Sequence, residues 1–249
     1  VLSAVADACA KIAALVDDPN ASKGVGDAQT NTFGDRQLKV DVEADKYLFS
    51  ALKKTRIVHT ASSEETASLV DLGGDENAEF CVAFDPLDGS SVIKSNFAVG
   101  SIIGVWRDKS LLNQPASSMA AAAIAVYGPR VALVVAVDDI SYPLEFCLDR
   151  TRAHTTNSSW RLTRSLTEGM HSSNVKLFAP ANLRCTADNN AYRDLVSWYM
   201  AQKYTLRYSG ALVPDVYQLL VKGGGVFLNP ASVAAPAKLR VLYELLPIA

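Results

Sequence analysis

Phe84-Asp85-Pro86-Leu87-Asp88-Gly89-Ser90-Ser91 follows directly on the apolar run Cys81–Phe84. Pro86 fixes its own φ and lacks an N–H, so the strand is expected to end here and the chain to turn. Asp85 and Asp88 then point one way. Gly89 tolerates unusual backbone angles, and the N–H groups and hydroxyls of Gly89, Ser90 and Ser91 offer an anion cradle beside them. Carboxylate oxygens next to such a cradle suit Mg²⁺, which keeps few protein ligands and lets a phosphate oxygen complete its octahedron. An ordinary turn has the same composition, because Asp-Pro and Asp-Gly pairs are common turn formers.

Outward from this segment, helix and strand patterns interleave. Toward the N-terminus, Leu2, Val5, Cys9, Ile12 and Val16 recur at helical spacing. Residues 19–32 read as a loop, and a second helix is expected from about Asp35, a plausible N-cap. Strands are expected over Ile57–Thr60, Cys81–Phe84 and Phe97–Trp106. Met119–Val126 reads as a helix, Val131–Val137 and Leu144–Leu148 as strands, and residues 151–173 as a loop or hairpin. The last third alternates again. Strands are expected at Lys176–Phe178, Thr205–Tyr208 and Val226–Leu228, and helices at Tyr192–Met200, Pro214–Val221 and Leu239–Leu245. Such alternation indicates sheets covered by helices. A single unit over 1–249 is expected, built from two intimate halves, residues 1–150 and 151–249.

The composition narrows the class of partner. In 249 residues, 24 basic and 26 acidic side chains give a net charge of −2, and 49% of residues are hydrophobic. A sizeable core is therefore expected and disorder excluded for most of the chain. With no long basic run, neither nucleic acid nor a membrane surface is an expected partner. Met119–Val137 approaches membrane length, but Tyr127-Gly128-Pro129-Arg130 interrupts it. Cys9, Cys81, Cys147 and Cys185 are widely spaced, which excludes a zinc ribbon or dense disulfide scaffold and points to a reducing compartment.

Further acids and cations lie elsewhere. Glu64-Glu65 ends the Ile57–Thr60 segment in a Ser-rich loop, and Asp41 lies in the second helix. Glu244 stands in the apolar run Leu239–Ile248, either buried with a partner such as a metal or on the wet face of its helix. Lys238 and Arg240 are phosphate-binding candidates or a solvated basic patch. His59, His154 and His171 are scattered without metal-ligand spacing, and Ser90 and Ser91 have no nearby histidine, so a serine nucleophile is not expected.

Taken in order, FGDRQLKVD, SSEE, FDPLDGSS, NFAVGSIIGVW, AVYGPR, KYTLRYSGALVPDV and KLRVLYE resemble the fructose-1,6-bisphosphatase family over most of the chain. The resemblance implies an α/β layered fold, an α-β-α-β-α sandwich of the sugar phosphatase or inositol monophosphatase-like kind. It implies that Glu64, Asp85, Asp88, Glu244 and the Leu87 carbonyl are metal ligands, with Asp35 at a further metal site. Asp41 and Glu65 match the pair that handles the proton of the attacking water. Arg207, Tyr208, Lys238, Arg240 and Asn182 match positions holding the sugar and its distal phosphate, the arginine matching Arg207 reaching a neighbouring subunit's site. The cofactor implied is Mg²⁺, two or three ions per site, with Mn²⁺ a substitute. A homodimer or higher homo-oligomer is implied.

Departures from the family pattern sharpen the expectation. Asn229 stands where six-carbon-sugar enzymes commonly have tyrosine, which favours the C1 phosphate of sedoheptulose 1,7-bisphosphate over fructose 1,6-bisphosphate as substrate. A catalytically silent sugar-phosphate sensor is the alternative of another class, opposed by the presence of all the acidic positions. The loop KGVGDAQTNTFGD has no cysteine, which argues against thioredoxin-type switching through a cysteine pair there. Lys94 replaces a usual aspartate. Family members continue past the position matching Ala249. The expected location is cytoplasmic, with the plastid stroma as alternative.

Overall fold

The computed structural model describes residues 1–20, 30–34, 37–150, 160–166 and 174–249. Asp35, His154 and His171 lie outside the described residues.

Two helices open the chain, α1 (Leu2–Val16) and α2 (Lys39–Lys54). The second begins at Leu38, whose N–H donates to the Asp41 carboxylate at 2.7 Å, so a residue three positions inside the helix caps it. Strands β1 (Val58–Ser63), β2 (Val70–Asp71), β3 (Phe80–Asp88), β4 (Val99–Trp106), β5 (Met119–Tyr127), β6 (Val131–Val137), β7 (Leu144–Leu148) and β8 (Trp160–Ser165) form one sheet in the order β2-β1-β3-β4-β5-β6-β7-β8. All its pairings are antiparallel except β1 with β3. A second, parallel sheet has the order β10-β9-β11, from β9 (Leu177–Pro180), β10 (Thr205–Leu206) and β11 (Val226–Leu228). Helix α3 (Asn190–Ala201) packs Tyr192 and Val196 on it, and α4 (Leu212–Lys222) touches β4 and β5 as well as β11. The layers are thus helix, sheet, helix, sheet, helix.

Three expectations fail here. Met119–Val126 is not a helix but most of β5, despite alanine's helix propensity. Ala121, Ala123, Ala125 and Tyr127 enter the core under α1 and α2, while Ile124 and Val126 enter the core under α4. A strand buried on both faces reads as a continuous apolar run, and its register between β4 and β6 overrides the local preference. The helix expected over Leu239–Leu245 is also different: a π turn spans Val241–Leu245, followed by the short helix α5 (Leu246–Ile248).

Pro86 does not end its strand. Asp85 pairs with Ile102 and Asp88 with Gly100, so three steps along β3 match two along β4. The extra residue is a bulge. Side chains three apart on a regular strand face opposite ways; the bulge restores a common direction to Asp85 and Asp88. The Pro86 carbonyl accepts a hydrogen bond from Ser101 Oγ at 2.7 Å, so the displaced backbone remains satisfied.

Candidate active site

The C-terminal ends of β1 and β3 lie side by side because the two strands are parallel, with Ser63 opposite Phe84. Glu64 N–H extends the ladder by donating to Phe84 O at 3.1 Å, and this brings Glu64 next to Asp85. Glu244 arrives from the π turn, anchored by the Arg240 N–H, which donates to its carboxylate. One oxygen each of Glu64, Asp85 and Glu244 lies within 4.8 Å of the others. Residues separated by 180 positions meet there.

These acids are largely out of water: Asp85 is 4% exposed, Asp88 8% and Glu244 7%. Burial drives the Asp85 pKa well above the usual carboxylate range, and Glu64, Asp88 and Glu244 add repulsion. Burial likewise raises Glu244 to about 8 and Asp88 to about 7. The Asp88 rise is limited by Val213 N–H, which donates to Oδ2 at 2.7 Å from the first turn of α4. A helix N-terminus favours a negative charge at that place. Three hard oxygen donors that repel one another in the absence of a cation fit a divalent metal.

Two more acids complete the rim. Asp41 Oδ1 is buried without a hydrogen-bond partner among the described residues, and burial raises the carboxyl to about 6. Glu65 accepts a hydrogen bond from Gln37 Nε2, and burial raises it to about 7. Asp45 supports the loop that carries both glutamates: Ser63 Oγ donates to it at 2.5 Å and Thr66 Oγ1 at 3.0 Å. Its position four residues after Asp41, one helical turn on, is the sequence signal for it.

A cavity of about 840 Å³ opens over these groups. Asp41, Glu64, Glu65, Asp85, Leu87, Asp88, Gly89, Ser90 and Ser91 line it from the large sheet and α2; Asn182, Tyr208, Asn229, Lys238 and Arg240 line it from the second sheet and the chain that follows. Arg207 does not. Its side chain is exposed, with Nη1 on Leu206 O at 3.0 Å. The Asn182 amide is already engaged, Nδ2 donating to Pro230 O at 2.9 Å and to Ala235 O at 2.8 Å. Lys94 and Arg184 also line the cavity, and Arg184 was not an expected site residue, since an arginine in a polar turn reads as a solvated charge.

Close approach of α4 is what brings its first turn to Asp88. Gly89 has φ +81°, and a Cβ there would stand 2.3 Å from Ala211 Cβ; a Cβ on Gly100 would stand 2.3 Å from Val213 Cγ1. Asp215, 1% exposed, accepts from Ser209 N–H at 2.8 Å and holds the turn before the helix.

The fold is a layered α/β sandwich of the inositol monophosphatase-like kind, with a cluster of carboxylates opening into a cavity lined from both sheets. The profile described as "Fructose-1-6-bisphosphatase, N-terminal domain" matches residues 1–155 and that of the C-terminal domain residues 171–249; the chain belongs to the fructose-1,6-bisphosphatase family. Among its relatives, chloroplastic sedoheptulose-1,7-bisphosphatase of Chlamydomonas reinhardtii is 46% identical over 90% of this chain and 54% of its own length. Fructose-1,6-bisphosphatase class 1 of Trichlorobacter lovleyi is 37% identical over 88% of this chain and 66% of that protein. A crystal structure from Toxoplasma gondii, provisionally named sedoheptulose-1,7 bisphosphatase, superposes with a TM-score of 0.85 at 38% identity, covering 99% of this chain and 78% of that one. The chain spans about half the length of the sedoheptulose relatives it matches.

Proposed function

We propose that the protein hydrolyses the C1 phosphate of sedoheptulose 1,7-bisphosphate, giving sedoheptulose 7-phosphate and phosphate, with Mg²⁺ as its cation. The observation that carries this reading is the convergence of Glu64, Asp85 and Glu244 within 4.8 Å in a cavity that cationic residues line from its other sheet. Identity of 46% to a sedoheptulose enzyme, against 37% to a fructose enzyme, supports the seven-carbon sugar, as does Asn229 in the cavity wall.

Glu64, Asp85, Asp88 and Glu244 would hold two or three ions, with Mn²⁺ a substitute and the Leu87 carbonyl a further ligand; Asp35 is assigned to an additional metal position by resemblance alone. Bound there, divalent cations supply charge neutralisation for phosphate oxygens and acidify a water. Asp41 and Glu65, on the cavity wall, would accept a proton from the attacking water. Without a cation, burial raises these carboxyls to about 6 and about 7, which makes each a stronger base than an ordinary carboxylate. Gly89, Ser90 and Ser91 cradle the scissile phosphate through backbone N–H groups and hydroxyls. Tyr208, Lys238 and Arg240 hold the sugar and distal phosphate, with Asn182 beside them; this remote grip raises the rate by fixing C1 at the acids.

Arg207, exposed and outside its own chain's cavity, fits a role in the cavity of a second subunit, so a homodimer or higher homo-oligomer belongs to the reading. Among the described residues no helix is long and apolar enough to cross a membrane. The chloroplastic description of the sedoheptulose relatives supports the plastid stroma, and the four free cysteines are compatible with either that compartment or the cytoplasm.

The test is kcat/KM for phosphate release from the seven-carbon and six-carbon bisphosphates with Mg²⁺ and with chelator. Preference for sedoheptulose 1,7-bisphosphate, abolished by chelator, is the expected result. Preference for fructose 1,6-bisphosphate overturns the substrate assignment, and no release at any metal concentration overturns the enzyme reading in favour of a silent sensor.

A further inference from the structure

The geometry points to Arg184 as a further arginine that grips the distal phosphate within one chain, with Asn182 as the residue that positions it; this rests on the sugar-bisphosphate reading above. Strand β9 ends at Pro180, and Ala181 N–H still donates to Leu228 O at 2.7 Å. Asn182 then adopts φ 50° and ψ 43°, a left-handed conformation that asparagine tolerates better than most residues. Both hydrogen bonds from its Nδ2 go to backbone carbonyls, Pro230 and Ala235, which ties this turn to the segment leading to Lys238. With its N–H donors spent on the protein, Asn182 shapes the wall and leaves phosphate recognition to a neighbour.

That neighbour is set by the next turn. A 3-10 turn over Leu183–Ala187 buries Cys185 completely against Phe178, Tyr192 and Val196, so Arg184 beside it remains on the accessible side and lines the cavity. Burial raises the pKa of the Tyr208 hydroxyl, Asp215 adds to the rise, and Arg184 opposes it, so the guanidinium lies within electrostatic reach of Tyr208. Among the described residues Arg184 has no carboxylate in ion-pair range, whereas Arg240 is paired with Glu64. A guanidinium fork without an acidic partner, on the wall remote in sequence from the metal-cage acids and beside Tyr208 and Lys238, has the donors to bind a phosphate through two parallel bonds.

The test is calorimetric titration of the full chain, in chelator, with sedoheptulose 7-phosphate, which carries the distal phosphate alone. Arg184→Gln is expected to weaken binding by about tenfold to hundredfold, and Arg184→Lys to recover part of the loss. In turnover, Arg184→Gln is expected to lower kcat/KM by about tenfold to hundredfold. Asn182→Ala is expected to weaken binding in the wild-type background and to add less than about twofold in the Arg184→Gln background, as two residues acting through one contact do. Thermal melts establish that each variant is folded. Arg184→Gln binding within about twofold of wild type overturns the assignment of the grip, and an undiminished Asn182→Ala effect in the Arg184→Gln background overturns the positioning role. If the wild type binds the monophosphate but releases no phosphate from either bisphosphate, the functional reading fails while the loss in Arg184→Gln still supports Arg184; a wild type that binds nothing overturns both.

Discussion

Arg240 Nη1 lies 3.0 Å from Glu64 Oε1, while the Arg240 backbone N–H donates to Glu244. One residue therefore ties two of the three converging carboxylates together and neutralises part of their repulsion. The pair is mostly shielded, with 17% of the arginine side chain and 12% of the glutamate side chain accessible, and the guanidinium also sits 5.1 Å from the centre of the Phe33 ring. A cation at Glu64 would compete with this guanidinium.

Removing the arginine charge is expected to separate these roles. Arg240→Gln should tighten Mg²⁺ binding in the absence of sugar on the order of tenfold, because the metal then meets an uncompensated Glu64. The same variant should lower the melting temperature in chelator. Calorimetric metal titration and thermal melts check the two effects; unchanged metal affinity contradicts the competition.

Gly89 and Gly100 are expected to be intolerant of a single methyl group. At Gly89 alanine meets both a positive φ and Ala211, and at Gly100 it meets Val213 and the Ala125 carbonyl, 2.5 Å away. Each substitution should cost about 2 kcal/mol or more, and the melting temperature should fall by roughly 4–8 °C. Because both contacts lie at the start of α4, which donates to Asp88, metal affinity should fall as well. Thermal melts and metal titration of Gly89→Ala and Gly100→Ala measure this.

The buried acids give stability a definite dependence on pH. Burial raises Asp41 to about 6, Glu65 and Asp88 to about 7 and Glu244 to about 8, so near neutral pH the folded chain holds protons that the unfolded chain has released. Stability in chelator should therefore decline as pH rises from about 4 through about 8. Metal binding needs the ionised carboxylates, so the rise in melting temperature on adding Mg²⁺ should be larger at about pH 8 than at about pH 5.5. A metal-induced rise that shrinks with pH contradicts the site.

The candidate site residues were legible in the sequence to the extent that their local setting was unusual. Asp85 and Asp88 stand out because they end an apolar strand, and Glu244 because a carboxylate interrupts an apolar run. That Asp85 and Asp88 share a direction was anticipated, but through a turn; the device is a bulge, which depends on the register of β4 and leaves no mark in β3 itself. The alanines of β5 mislead in the same way, since propensity is local and the burial of both faces is not. Asp45, Asp215 and Arg184 have ordinary neighbours, and only the packing of α2, the turn before α4 and Cys185 gives them their places. Arg207, expected among the sugar and distal-phosphate residues, lies outside the cavity of its own chain.

The convergence of acids from β1, β3 and the C-terminal π turn on one cation is tested most directly by calorimetric titration of the full chain with Mn²⁺, comparing wild type with Glu244→Gln. At least one site per chain in the wild type, weakened more than about tenfold by this substitution in a protein that melts cooperatively, is the expected result. Equal affinity in the two proteins would mean that Glu244 holds no metal and that the proposed cage does not exist.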